Sequence, residues 1–288
     1  MTSKIRSSRL PPEREQEIGE LAEAVAEEYF PGARVEPEAI VRAKRITISF
    51  GRYADTFDGL LEYLGGRFHI YANLDRVEQK DSPRARFTLG HELGHYFIDE
   101  HRNALEAGIA LSHPSFCEYE SDLLVEKEAD HFASNLLMPA GSFRKIASRV
   151  AHGLEGILKI AHHFGTSVTS TAIRYAQLEI IPCAVIKWNT NGFGWKWLSK
   201  ETFKAHYWKT VESVEQLPDD SPTAMALAGE RPSSQGFFTA GTTASAWFPY
   251  VDASAYRNAI LIEQAVQLGR FGVLTFLYPE SGSYKGFF

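Results

Sequence analysis

His91, Glu92 and His95 spell His-Glu-x-x-His inside "FTLGHELGHYFIDEHR", residues 87–102. On a helix, positions four apart share a face, so His91 and His95 can turn both imidazoles on one divalent cation. Glu92 stands beside His91 and can address a water on that cation, the place of a general base in metal-assisted hydrolysis. The competing reading is a surface helix with solvated histidines. Phe87, Leu89, Phe97 and Ile98 flank the motif with apolar side chains and so place it on a buried helix. A buried His-Glu-His set without a cation is costly to keep. Gly94 in mid-helix costs about 1 kcal/mol relative to Ala, which marks a close backbone approach there.

A catalytic zinc takes a third protein ligand and leaves its fourth position to water. The downstream stretch "DLLVEKEADHFASNLLM" supplies it. Glu126 and Asp130 stand at i and i+4, so Glu126 reads as the third ligand and Asp130 as the acid that accepts a hydrogen bond from a ligand histidine. Glu128 competes with Glu126, but two residues along a helix it points to another side. Leu123, Leu124, Val125, Phe132, Leu136 and Leu137 make this second helix apolar enough to pack on the first. The expected cofactor is Zn2+, with Mn2+ as an alternative working metal. His101, His113 and His131 could touch substrate, although a solvated or structural role is the preferred reading for each.

Several elements must position these residues. "EREQEIGELAEAVAEEYFPG" carries Ile18, Leu21, Ala22, Val25 and Phe30 at helical spacing and stops at Pro31–Gly32. "RITISFG", "LLEYLG" and "RFHIYAN" read as strands, the last two forming a hairpin at Gly65–Gly66. Ser82–Pro83 opens the motif helix, which is expected to end near His101. Beyond Pro139 come a short helix and a helical pair, "GLEGILKIAHHF" and "SVTSTAIRYAQLE", around Gly165–Thr166. From Pro182 the pattern changes to short strands, "CAVIKW", "GFGWKWL", "GFFTAG" and "ASAWFPYV", with a helical insert "SPTAMALAG". The chain closes on "NAILIEQAV" and "GVLTFLYPE" as a hairpin. The expected division is 1–142, 143–180 and 181–288, with the first dozen residues a flexible tail.

The 288 residues carry a net charge of −6, so the protein as a whole is no basic polyanion binder. No run approaches the roughly 18–20 apolar residues of a membrane helix, and the N-terminus has no apolar core of a secretory signal. Cys117 and Cys183 are the only two cysteines, outside any Cys-x-x-Cys pattern, which argues against a disulfide framework and fits a reducing cytoplasm.

"RFTLGHELGHYFI" followed by "EKEADHFASNLLMP" resembles the ImmA/IrrE metallopeptidases, most specifically over residues 86–139. The resemblance extends more loosely through "ILKIAHHFGTSVTSTAIRYAQLE", "VEQLPDDSPTAMALAG" and the closing strands to the IrrE (PprI) branch. It implies an α+β fold: a helix-rich zincin-like peptidase core with a small N-terminal sheet, a helix-turn-helix-like segment and a GAF-like C-terminal module. It implies a gluzincin-like metalloendopeptidase with Glu126 as third ligand. The implied substrate is a repressor of the XRE helix-turn-helix type, whose cleavage derepresses stress-response or mobile-element genes.

The rival reading is a DNA-binding or ligand-sensing regulator. The candidate recognition helix, residues 167–178, holds one basic residue, Arg174. Phosphate contacts need several cations, so direct DNA binding is not expected. Trp188, Trp195, Trp197, Phe237 and Phe238 could line a ligand pocket in the C-terminal module, but aromatics at strand spacing more often form core.

Overall fold

The computed structural model describes residues 10–109, 115, 123–200, 202, 209–232, 234–249 and 259–280. The chain divides into two compact units, Met1–Phe143 with His162–Ser167, and Arg144–Ala161 with Val168–Phe288.

In the first unit, helix α1 (Pro12–Tyr29) starts on a proline and buries Ile18, Ala22, Val25 and Ala26 along one stripe. Of the expected flexible tail, residues 1–9 lie outside the described residues, whereas Leu10 is buried and Pro12 already belongs to α1. Helix α2 (Pro37–Ala43) leads into strands β1 (Thr47–Gly51), β2 (Gly59–Leu64) and β3 (Arg67–Asn73). Their order is β1-β3-β2, with β1 parallel and β2 antiparallel to β3. The β2–β3 turn puts Gly65 at φ 59° and Gly66 at φ 79°, the double left-handed conformation of a tight hairpin turn, which glycine adopts without strain.

Helix α3 (Leu74–Val77) precedes helix α4 (Pro83–Phe97), which carries the histidine motif. Ser82 caps α4 by accepting from the Ala85 amide at 3.0 Å, and Pro83 takes the first helical position. Every residue of α4 from Ala85 to His95 is buried, because α2, the sheet and helix α6 (Leu124–Leu137) all pack on it. Gly94 explains itself here. A Cβ on it would stand 3.0 Å from the Ala129 Cα, and one on Gly90 would stand 3.3 Å from the Ala133 Cβ. Small residues on both helices let α4 and α6 approach closely enough for their polar side chains to meet.

The expected end of this helix near His101 is not what forms. Ile98 turns extended (φ −74°, ψ 112°), α4 stops at Phe97, and a separate helix α5 (Asp99–Glu106) carries His101. Ile98 itself is buried, so the break is held by core packing. Helix α7 (Ala140–Ala147) follows α6.

Helices α8 (Leu154–Phe164) and α9 (Val168–Gln177) form as expected, with Gly165 between them at φ 64°. In the second unit α9 packs on β4 (Ala184–Asn189) and β5 (Gly192–Leu198) and buries every residue from Ser170 to Ala176. These strands join β6 (Phe238–Thr243), β7 (Ile260–Gln267) and β8 (Val273–Pro279) in an antiparallel sheet of order β5-β4-β8-β7-β6. Helix α10 (Pro222–Leu227) packs on β6, β7 and β8. "ASAWFPYV" does not open as a strand: Ala244–Trp247 is a short helix, α11, which turns Trp247 and Phe248 into the core. Trp188 packs edge-on against Trp247 and Phe193 and is fully buried, a core role. Cys183 is a buried free thiol, and Cys117 lies outside the described residues. Among the described residues, no helix is long and apolar enough to cross a membrane.

Candidate metal centre

His91 and His95 project from one face of α4, and Glu126 from the first turn of α6, into a single buried point. The two imidazole Nε2 atoms are 3.1 Å apart. Glu126 places Oε2 3.3 Å from His91 Nε2 and Oε1 3.3 Å from His95 Nε2. Among the described residues this is the one His/Cys/Asp/Glu group whose ligand atoms cluster closely enough to hold a metal ion.

The surrounding hydrogen bonds select one tautomer for each neutral ring. Asp130, one turn along α6 from Glu126, accepts from His91 Nδ1 at 2.8 Å. That leaves His91 Nε2 with its lone pair on the cluster side. His95 reaches the same state by a longer route, through His101. His95 Nδ1 lies 3.2 Å from His101 Nδ1, and His101 Nε2 lies 2.7 Å from Glu128 Oε2. A carboxylate only accepts, so the proton sits on His101 Nε2, and His95 Nδ1 then donates to the other ring. In their neutral forms both ligand histidines thus turn the lone pair of Nε2 toward Glu126. Two lone pairs and a carboxylate around one point fit a cation.

Without a cation, a proton on His91 takes its place. Burial opposes charge on His91, but Asp130 and Glu126 together outweigh it and raise its pKa well above the ordinary value. His95 is pushed the other way, to about 4, by burial and by neighbouring His91 and His101 against the pull of Glu126. The site favours one positive charge shared among its donors. Burial also lifts the Asp130 carboxyl, with His91 holding it back.

Glu92 is wholly buried beside these ligands, under the first residue of β2. A Cβ on Gly59 would fall 2.5 Å from Glu92 Oε1 and 2.5 Å from Thr88 Cγ2, so only glycine leaves room for the carboxylate. Gly59 is anchored by its neighbour. Asp58, with no exposure, receives Arg76 Nε at 2.6 Å and Arg84 Nη2 at 2.8 Å.

All five residues expected at the centre are therefore brought together: His91, Glu92, His95, Glu126 and Asp130. Spacing alone missed Gly59 and Arg14, and it left His101 and Glu128 outside the centre. The sequence reading turned Glu128 away from the ligand point; Glu128 lies between His101 and the fork of Arg14 (Nε–Oε1 2.9 Å, Nη2–Oε2 3.2 Å). His131 is structural: its Nε2 lies 2.8 Å from the Glu15 carbonyl, tying α6 to α1. His113 lies outside the described residues.

Residues 77–175 match the peptidase family described as the IrrE N-terminal-like domain. This match supports ImmA/IrrE family membership for the stretch that holds the site. A curated relative, the radiation response metalloprotease IrrE of Deinococcus deserti, is 27% identical over 201 residues, spanning 65% of this chain and 68% of that one. A solved structure titled Mycobacterium tuberculosis transcriptional regulator superposes with a TM-score of 0.56 at 12% identity, covering 93% of this chain and 78% of that one. That likeness is one of fold. The span matched to the ImmA/IrrE peptidase domain includes every ligand, Glu92, Asp130, His101 and Glu128; Arg14 and Gly59 lie outside it. Over that span the chain is similar to metallopeptidases, and His91, His95 and Glu126 stand there as a possible metal site.

Proposed function

We propose that this protein is a zinc-dependent, gluzincin-like endopeptidase that cleaves a helix-turn-helix repressor of the XRE type and so derepresses stress-response or mobile-element genes. The observation that carries it is the convergence of His91 Nε2, His95 Nε2 and the Glu126 carboxylate beside a buried Glu92. In this reading the first unit is zincin-like, the second GAF-like, and the protein works in the cytoplasm beside its repressor.

The protein's own residues divide the work. His91, His95 and Glu126 would hold Zn2+, which supplies Lewis acidity at the scissile carbonyl and acidifies a water. Glu92 takes one proton from the attacking water as the new C–O bond forms. As the C–N bond breaks, Glu92 returns that proton to the leaving amine nitrogen. Asp130 keeps His91 in the ligating tautomer. Gly59 leaves the Glu92 carboxylate room to face the reacting atoms.

Two observations favour a protein substrate over DNA. The relative in Deinococcus deserti is named a radiation response metalloprotease. Arg174, the one basic residue of the candidate recognition helix, is buried and is not offered to phosphate. The test is co-incubation with the XRE-type regulator encoded beside this gene, with Zn2+ or Mn2+ added. Wild type cleaves it at one bond, and Glu92→Gln loses about 10²–10⁴-fold in rate while keeping its metal. Equal cleavage by both, or none with any neighbouring regulator, overturns the reading.

A further inference from the structure

We propose that Arg14, Glu128 and His101 form a hydrogen-bonded arm that fixes the tautomer and ring orientation of His95, so that the N-terminal helix helps set the affinity of the metal centre. The inference rests on the metallopeptidase reading of the site and adds positioning residues to it.

The arm has a direction, and each link forces the next. Arg14 on α1 carries only donors, and its fork grips both oxygens of Glu128. Glu128 is held as a carboxylate and can only accept, so the proton of the next bond belongs to His101 Nε2. In the neutral, buried ring His101 Nδ1 then has its lone pair and accepts from His95 Nδ1. His95 Nε2 is left with its lone pair toward His91 and Glu126. Reversing the last link would require a second proton on His101, a charge that burial of the ring disfavours. His91 gets the same result from Asp130 in one step. His95 needs three residues because the acid on its side, Glu128, serves it only through a second imidazole.

The burial pattern supports this. His101 and Glu128 are both buried. An ion pair between Arg14 and Glu128 would tie α1 to α6 without any histidine. What His101 adds is an acceptor placed at His95, made possible by the break at Ile98 that starts α5. An arm of this kind commonly changes metal affinity by about 10–100-fold.

The test uses the full-length chain and needs no substrate. Zinc affinity is measured by competition with a chromophoric chelator, and the tautomer of His95 by 15N NMR of the chelator-stripped protein. Wild type should carry the His95 proton on Nδ1. His101→Phe should weaken zinc binding about 10–100-fold and release the Nδ1 tautomer preference. His101→Asn places an amide oxygen where Nδ1 stood and should stay within about threefold of wild type. Arg14→Gln should fall between the two. An Nε2–H tautomer in wild type overturns the proposal even where a variant fails to fold. So does unchanged zinc affinity in His101→Phe, or equal losses in the Phe and Asn variants, which would make His101 a packing residue. A wild type that binds no divalent cation would overturn the metallopeptidase reading itself. Failure to cleave a repressor leaves both readouts intact.

Discussion

Both units bury a glutamate, and they neutralise it in opposite ways. In the second unit, Glu263 is 1% exposed, and each of its oxygens meets a donor: the Thr223 amide at 2.9 Å and the Trp247 indole N–H at 2.9 Å. Thr275 completes the set, accepting from the Trp188 indole at 3.1 Å and sharing a hydrogen bond with Thr223 at 2.7 Å. Burial raises the pKa of Glu263, with Trp247 and Thr223 pulling the other way. In the first unit, Glu126 faces the lone-pair side of two imidazoles. A buried carboxylate is therefore no sign of function by itself. Donors matched to acceptors make a scaffold, whereas acceptors turned on one another make a cation site.

The sharpest way to break this contrast is to add the cation. Saturating Zn2+, at about a thousandfold over its dissociation constant, should stabilise the protein by about 4 kcal/mol. Hydrogen exchange should slow in α4 and α6 and stay unchanged in β4 to β8. Uniform protection across both units would erase the distinction.

A smaller effect is expected at Gly59. Gly59→Ala pushes a methyl group into Glu92, so peptide cleavage should fall by about 10²-fold with zinc content unchanged. Loss of the metal alongside activity would show that Gly59 shapes the ligands and not the base.

One buried acid from each unit, Glu263 and Glu128, should also respond to pH with opposite sign. Glu263→Leu leaves the Trp247 and Thr223 donors without their acceptor and should cost about 1–3 kcal/mol by urea unfolding, with zinc affinity untouched. Because the folded pKa of Glu263 is raised, its contribution is full below the ordinary carboxylate value and is lost as pH rises through the folded value. Glu128 behaves the other way. Burial works against its charge, but Arg14 and His101 hold its pKa below 4.5. The cost of Glu128→Gln, about 1–2 kcal/mol, should thus be full above pH 4.5 and fade as pH falls through the folded pKa. Parallel pH slopes for the two variants would contradict the comparison.

What the sequence disclosed about the metal centre is what helical spacing encodes. His91, Glu92 and His95 lie within one turn and a half of α4, and Glu126 and Asp130 within one turn of α6, so periodicity alone pairs them. The strands β1 to β3 and the Gly65–Gly66 turn were legible for the same reason: each is decided by a few adjacent residues. Arg14 and Glu128 are 114 positions apart, and no local pattern brings them together. Gly59 was equally silent, since a missing side chain matters only once Glu92 sits beneath it. His101 was obscured by the helix break, because the run from Pro83 to Glu106 has helical composition and Ile98 carries no glycine or proline to mark a stop. "ASAWFPYV" misled because a run rich in aromatic residues suits a strand, whereas the turn at Thr243 folds four of its residues into α11.

The break at Ile98 also makes the centre sensitive to length. Helices α4 and α5 meet with a single extended residue between them, and each residue added or removed at the start of α5 would rotate His101 by about 100° around its helix. The distance from His95 to His101 in the chain therefore acts as a phase setting. The exposed side chains of Asp99 and Glu100 can be exchanged with modest consequence, but a one-residue insertion between Ile98 and His101 would detune the centre while leaving every ligand in place.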